Sequence, residues 1–273
     1  MKLGYSTITW GGVGGAAGGV TSVKDLFYRV NGSTTEAIDD ISSVGYAGTE
    51  IFDGNLADFA EDPEVLLSSL RAANLQLVSV YTGANFIYGD VLEDELAKVT
   101  RSAELARQFG ASRLIVGGGA QRSGGIRDGD LPALASALDR VVEIAEAHGL
   151  ESSYHPHLGT IVEGAAGLSD LMALSRINFC PDTAHLAAGG ADPEEMIRLH
   201  GTRLAHVHLK DFNRSTNQFL PLGQGDLDFP AIISAIREVG YDDWLMVELD
   251  GYAGHPREAA EISMAFLTDL LAR

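Results

Sequence analysis

The sequence predicts an α/β protein, a closed (β/α)8 TIM barrel in which residues 1–273 form a single domain, and three observations carry that expectation. Short apolar runs of strand length alternate eight times with longer segments of helical period, as a parallel sheet with crossover helices requires. No linker or composition shift interrupts the repeat, and such barrels commonly run to about 250 residues as one domain. Apolar residues make up 45% of the 273 positions and charged residues 21%, enough to build a core and too apolar for disorder.

The strands are expected at 2–8, 47–52, 76–81, 113–116, 151–155, 178–182, 204–209 and 244–249, each followed by a helical stretch. After the first strand comes an insertion, 11–33, whose 11–19 run is almost entirely glycine and alanine. Loops after barrel strands line the catalytic face, so this run is expected to border the site, as a mobile lid or as a surface insertion. No Gly-Lys-Ser/Thr follows it, which excludes a phosphate loop, and no dinucleotide fingerprint is present. Ser33-Thr34-Thr35-Glu36 fits a capping box at the first helix, and Asp192-Pro193-Glu194-Glu195 offers an N-cap, a first-turn proline and early acidic residues. Gly45, Gly110, Gly149 and Gly240 each precede a strand, as left-handed C-caps do.

The 38 acidic residues outnumber the 19 basic ones, giving a net charge of −19 and an isoelectric point near 4.6. Such a charge repels phosphate backbones and anionic lipid, so nucleic acid is not an expected partner. Cys180 is the single cysteine, the N-terminus carries no long apolar stretch of the signal-peptide kind, and no apolar run reaches the roughly 18 residues of a membrane helix. A cytoplasmic protein without membrane contact is expected. The oligomer is left open as homo- or hetero-oligomeric.

In a barrel, chemistry sits at the C-terminal strand ends, and four successive strands end in metal-ligand types. These are Tyr154-His155-Pro156-His157, Asp182-Thr183-Ala184-His185, His206-Val207-His208-Leu209-Lys210-Asp211 and Val247-Glu248-Leu249-Asp250. Strand alternation puts His155 with His157, and His206 with His208, on one side. Asp182, His208 and Glu248 on neighbouring strands, with His155 opposite, compose a mixed nitrogen and oxygen site for Mn²⁺ foremost, or Co²⁺, Zn²⁺ or Fe²⁺. A lone strand-end His or Glu is more often a hydrogen-bonded or solvated group. Four together, if unpaired and buried, would cost several kcal/mol each. His148, His200 and His255 are expected at the surface.

These motifs, with Gly223-Gln224-Gly225-Asp226-Leu227-Asp228, resemble in order and spacing the xylose isomerase-like barrel superfamily of sugar isomerases, epimerases and keto-inositol dehydratases, over almost the whole chain. The resemblance implies that a Glu, an Asp, a His and a Glu from strands five to eight hold one divalent metal, the last three matching Asp182, His208 and Glu248. The departure is strand five, where His155 stands in place of the epimerase glutamate. This removes the paired glutamates that serve as acid and base on opposite faces of an enediolate. The Tyr-His-Pro-His-Leu-Gly-Thr segment looks instead like the inosose dehydratase branch, whose elimination needs one base and one acid near the leaving hydroxyl. The superfamily also holds AP endonucleases, which bind three zinc ions through many more histidines; the acidic charge and the 8 histidines here argue against them.

The resulting expectation is a lyase acting on a keto-polyol or keto-sugar. Glu248 is both metal ligand and candidate base, and His155, His157 and His185 are candidates for proton transfer. Glu50, ending strand two, suits hydroxyl binding, acid/base work or a salt bridge at the barrel mouth. Lys210 suits a carbonyl-polarising role or pairing with Glu248 or Asp211. Gly117-Gly118-Gly119 suits close ligand approach or a tight turn. The alternatives are a sugar or sugar-phosphate isomerase or epimerase, a carbon–glycoside-cleaving subunit that needs a second subunit, and a non-catalytic sugar-binding barrel.

Overall fold

The barrel strands are β1 (Lys2–Ser6), β2 (Gly48–Phe52), β3 (Gln76–Ala84), β4 (Arg113–Gly118), β5 (Glu151–Tyr154), β6 (Asn178–Phe179) and β7 (His208–Leu209); a hairpin, β8 (Asp211–Asn213) and β9 (Gln218–Leu220), intervenes before the last, β10 (Trp244–Val247). In this computed structural model residues 1–11 and 27–272 are described. The expectations placed on the glycine run, that it borders the site and forms a lid, fall on 12–19 and so lie outside the described residues. Every pairing in the eight-stranded sheet is parallel, in the order β6-β5-β4-β3-β2-β1-β10-β7. The end strands meet through parallel bridges between Phe179 and Leu204 and between Asp182 and His208, which closes the barrel.

All eight expected strands are present, with corrected ends. The first stops at Ser6 rather than residue 8, because the Ser6 hydroxyl accepts from the Ile8 amide and starts a 3-10 turn over Thr7–Trp10. Strands six and seven shrink to two residues each. Pro181 has no N–H for the ladder, and Asp182 leaves the strand to cap a helix. Parallel hydrogen bonds nevertheless continue beyond these ends, from Cys180 N to Tyr154 O and His208 N to Pro181 O, both 2.9 Å.

The crossover helices are α1 (Thr34–Val44), α2 (Asp53–Ala57), α3 (Pro63–Ala72), α4 (Leu92–Gln108), α5 (Asp130–Ala147), α6 (Ala165–Leu174), α7 (Thr183–Ala188), α8 (Pro193–His200), α9 (Phe229–Glu238) and α10 (Pro256–Leu271). Ser33 caps α1 through the Glu36 amide, and Asp192 caps α8 through the amides of Glu194 and Glu195. Gly45, Gly110, Gly149 and Gly240 all have positive φ, as their C-cap positions require. Ile38, Ile41, Leu66, Val99, Leu138 and Leu171 pack fully buried between sheet and helices, each contributing roughly 1.5–3 kcal/mol of apolar burial.

Inside the barrel, alternation sorts residues into levels. Val78, Trp244 and Met246 form one apolar cluster. It fills the space left by two glycines: a Cβ at Gly48 would lie 2.6 Å from both Val78 and the Trp244 ring, and one at Gly4 2.8 Å from Met246. Two residues on from Met246, Glu248 faces the same interior. The Gly117–Gly119 run is likewise explained by packing, since side chains there would strike Tyr81, Phe86 and Leu134.

Candidate metal centre

His155 directly follows β5, Asp182 lies three residues past β6 as the cap of α7, His208 lies in β7 and Glu248 directly follows β10. One donor atom from each lies within 4.8 Å of the others, and all four residues are buried. Local folding aims them. Asp182 Oδ1 accepts from the amides of Ala184 at 2.9 Å and His185 at 2.7 Å, which turns Oδ2 inward. The Thr183 hydroxyl donates to Lys210 O at 2.7 Å, tying the end of strand six to strand seven. Glu248 N donates to Leu209 O at 3.0 Å, fixing the end of β10 against β7.

The four converging atoms, His155 Nε2, Asp182 Oδ2, His208 Nδ1 and Glu248 Oε2, have no hydrogen-bond partner. His155 Nε2 lies 3.5 Å from Asp182 Oδ2 and 3.8 Å from Glu248 Oε2, while His208 Nδ1 faces Glu248 Oε2 directly. A buried polar atom left unsatisfied costs about 1–3 kcal/mol, so this convergence is costly unless something fills it. Two imidazole nitrogens and two carboxylate oxygens fit a divalent transition metal.

Lys210 lies beside this set, fully buried. Its ammonium donates to Glu248 Oε1 and Asp250 Oδ1, both at 2.9 Å, and to His185 Nε2 at 3.2 Å; it also lies 3.3 Å from Asp182 Oδ2. Its partners are thus Glu248, Asp182 and Asp250, not Asp211. Asp211 instead accepts from the amides of Phe212, Gly223, Gly225 and Leu227 and so shapes the Gly-Gln-Gly-Asp loop. Burial alone would raise the Glu248 carboxyl, but Lys210 and His208 hold it well below the ordinary range. Burial would raise Asp182 likewise, but Lys210 holds it down. Burial opposes the His208 charge, yet Glu50 and Glu248 push its pKa up to about 10.

The remaining groups surround Lys210. The rings of His157 and His185 lie 3.8 Å apart, and Phe219 of the hairpin meets His185 edge-on at 4.9 Å. Burial and Lys210 push His185 well below its usual value, and burial and His155 lower His157, so both imidazoles stay neutral. Burial raises Asp250, with Lys210 only partly offsetting it. Glu50 is not at the mouth. It is fully buried inside the barrel, its Oε2 accepting from the Ser79 hydroxyl at 2.7 Å and lying 3.2 Å from His208 Nε2. His206 and His208 both face inward, as alternation required. His148 and His200 are half-buried and His255 is exposed, none of them beside the four donors.

Ser79, Tyr81 and Phe219 escaped the sequence reading. Tyr81 meets the His155 ring edge-on at 5.4 Å, but period-2 alternation from the inward Val78 would have pointed it outward, and the register shift between β2 and β3 is what turns it in. Phe219 had no such signal, because the β8–β9 hairpin is too short to reveal periodicity.

The model of a family described as "Xylose isomerase-like TIM barrel" matches residues 38–270. The chain belongs to that family. An inosose dehydratase of Geobacillus kaustophilus is 28% identical over 274 aligned residues, covering 86% of this chain and 87% of that protein. Among solved structures, the probable 3-DHS dehydratase AsbF of Bacillus anthracis superposes with a TM-score of 0.76 at 17% identity, covering 98% of this chain and 99% of that one. The IolI protein with a bound zinc atom gives 0.77 at 17% identity, covering 100% and 98%. Where the resemblance implies a strand-five glutamate, this family member places His155, and His155 Nε2 still reaches the other three donors. Among the described residues no helix is long and apolar enough to cross a membrane.

Proposed function

We propose that the protein is a divalent-metal-dependent dehydratase of a keto-polyol or keto-sugar. It is an enzyme acting on sugars, and the observation that carries the finer reading is the convergence of four buried, unpartnered donors on His155, Asp182, His208 and Glu248. His155, Asp182, His208 and Glu248 would hold a divalent ion, which would supply Lewis-acid polarisation of a substrate carbonyl and so acidify the neighbouring carbon. The inosose dehydratase relative supports the direction of reaction, as does the absence of a second glutamate beside Glu248 in the four-donor set.

The chain's own groups divide the proton work. Elimination takes a proton from the carbon next to the carbonyl and expels hydroxide from the following carbon, which departs as water once protonated. Neutral His157, whose Nδ1–H donates to Leu158 O and leaves the Nε2 lone pair free, can accept a proton, whereas His185 Nε2 is taken by Lys210; Asp250, whose pKa burial raises, can return one. Glu248 remains the alternative base. Lys210 spends its three N–H donors on Glu248, Asp250 and His185 and so anchors charge rather than reaching a carbonyl. Phe219 offers an apolar wall against the site.

Incubating Mn²⁺-loaded protein with inososes, ketoses and 3-keto-glycosides tests this by ultraviolet absorbance and NMR. An enone chromophore with loss of water is expected. Interconversion without a chromophore would replace the dehydratase by an isomerase, and sugar binding without turnover or metal would replace it by a non-catalytic barrel.

A further inference from the structure

The geometry points to Glu50 as the residue that decides which nitrogen of His208 faces the metal, an inference that rests on the metal site proposed above. Glu50 Oε2 lies 3.2 Å from His208 Nε2, on the opposite side of the ring from Glu248. The same oxygen accepts from the Ser79 hydroxyl at 2.7 Å, and that hydroxyl lies 3.4 Å from His206 Nε2. A continuous chain results: His206 N–H to Ser79, Ser79 O–H to Glu50, and His208 Nε2–H to Glu50. All four residues are fully buried, so no water competes for these bonds.

A neutral imidazole carries one N–H, and a metal takes the lone pair of the other nitrogen. With Nε2–H donated to Glu50, the lone pair falls on Nδ1, the unpartnered atom beside Glu248 Oε2. The opposite tautomer would aim an N–H into the donor cluster and set a lone pair against the Glu50 carboxylate. Glu50, His206 and His208 also lie close enough to hold an ion of their own, but filling both sites at once would require His208 to give up both protons. Glu50 is therefore a positioning residue: it orients the ring and raises its basicity, as carboxylates behind metal-bound histidines do.

The test uses the full chain labelled with ¹⁵N-histidine, titrated with Zn²⁺ and observed by two-bond ¹⁵N–¹H correlation, with His208 assigned from a His208→Gln sample. The expected result is Zn²⁺ on Nδ1 with Nε2 protonated. In competition titrations Glu50→Leu should lose about 10–100-fold in Zn²⁺ affinity, while Glu50→Gln, which keeps an acceptor oxygen, should retain the tautomer and recover part of that loss. Zn²⁺ held through Nε2 of the unaltered protein would overturn the positioning role whether or not any variant folds, and leave the metal site standing. A folded Glu50→Leu protein that binds Zn²⁺ as tightly as the parent would do the same. No Zn²⁺ uptake by the parent would overturn the metal site and this inference together.

Discussion

Two buried charged clusters lie in this barrel, and they differ in whether their atoms are satisfied. Behind β2 and β3, Asp53 Oδ2 takes the Lys98 ammonium at 2.6 Å, the Thr82 hydroxyl at 2.6 Å and the Ser102 hydroxyl at 2.9 Å. Asp53 Oδ1 accepts from the amides of Tyr28 and Gly54 at 2.9 and 2.8 Å, and Lys98 further donates to Thr82 and to Gly83 O. Among the described residues, no side-chain atom of this cluster lacks a partner. At the candidate metal centre, four donors from four strands lack a hydrogen-bond partner. Burial of charge is common to both, so burial alone does not mark a site. The convergent geometry distinguishes the second cluster, because a fold that pairs Asp53 so fully has no structural reason to leave Asp182 Oδ2 without a hydrogen bond, the Lys210 ammonium lying 3.3 Å away as its charge partner.

The largest effect expected on stability is at the satisfied cluster. Asp53→Ala strands the Lys98 ammonium, which burial already disfavours, and should cost about 3–5 kcal/mol in chemical denaturation. Glu248→Gln should cost less than half of that, since Lys210 keeps Asp182 and Asp250. If the two losses were equal, the distinction between the clusters would fail.

Function should invert the ranking. With saturating metal, Glu248→Gln should still lower turnover by about 10² or more if Glu248 is also the base. Restoration of turnover by excess metal would make it a ligand only, and full activity at ordinary metal levels would remove both roles.

The third expectation concerns pH. His208 titrates near 10 when metal-free, above the ordinary value of about 6.5, so its proton stabilises the fold fully below about pH 6.5 and that contribution fades as pH rises through 10. A metal must displace the same proton, so apparent affinity should climb about tenfold per pH unit across neutrality. Competition titrations at several pH values check this, and a flat profile would deny that His208 is a ligand. The smallest effect belongs to Ser102→Ala, which removes one of several bonds to Asp53 and should cost about 1 kcal/mol while leaving metal affinity unchanged.

Much of this contrast was legible in the sequence. The βα alternation gave the barrel, and strand parity put His155, Asp182, His208 and Glu248 inside it, because period 2 and strand-end position are local properties. Depth was not legible. Glu50 was assigned the right face but the wrong level, since level depends on register, and β2 shifts register against β3 between Thr49 and Glu50. The partners of Lys210 depended on where Asp250 falls after β10, and Phe219 on a three-residue pairing.

The central claim is tested most directly by crystals of the protein soaked in Mn²⁺ or Zn²⁺ and examined for anomalous scattering. One peak is expected within the four donors, with zinc at roughly 2.0–2.2 Å from the nitrogen and oxygen atoms of His155, Asp182, His208 and Glu248. No peak there, or one held by other residues, would contradict it.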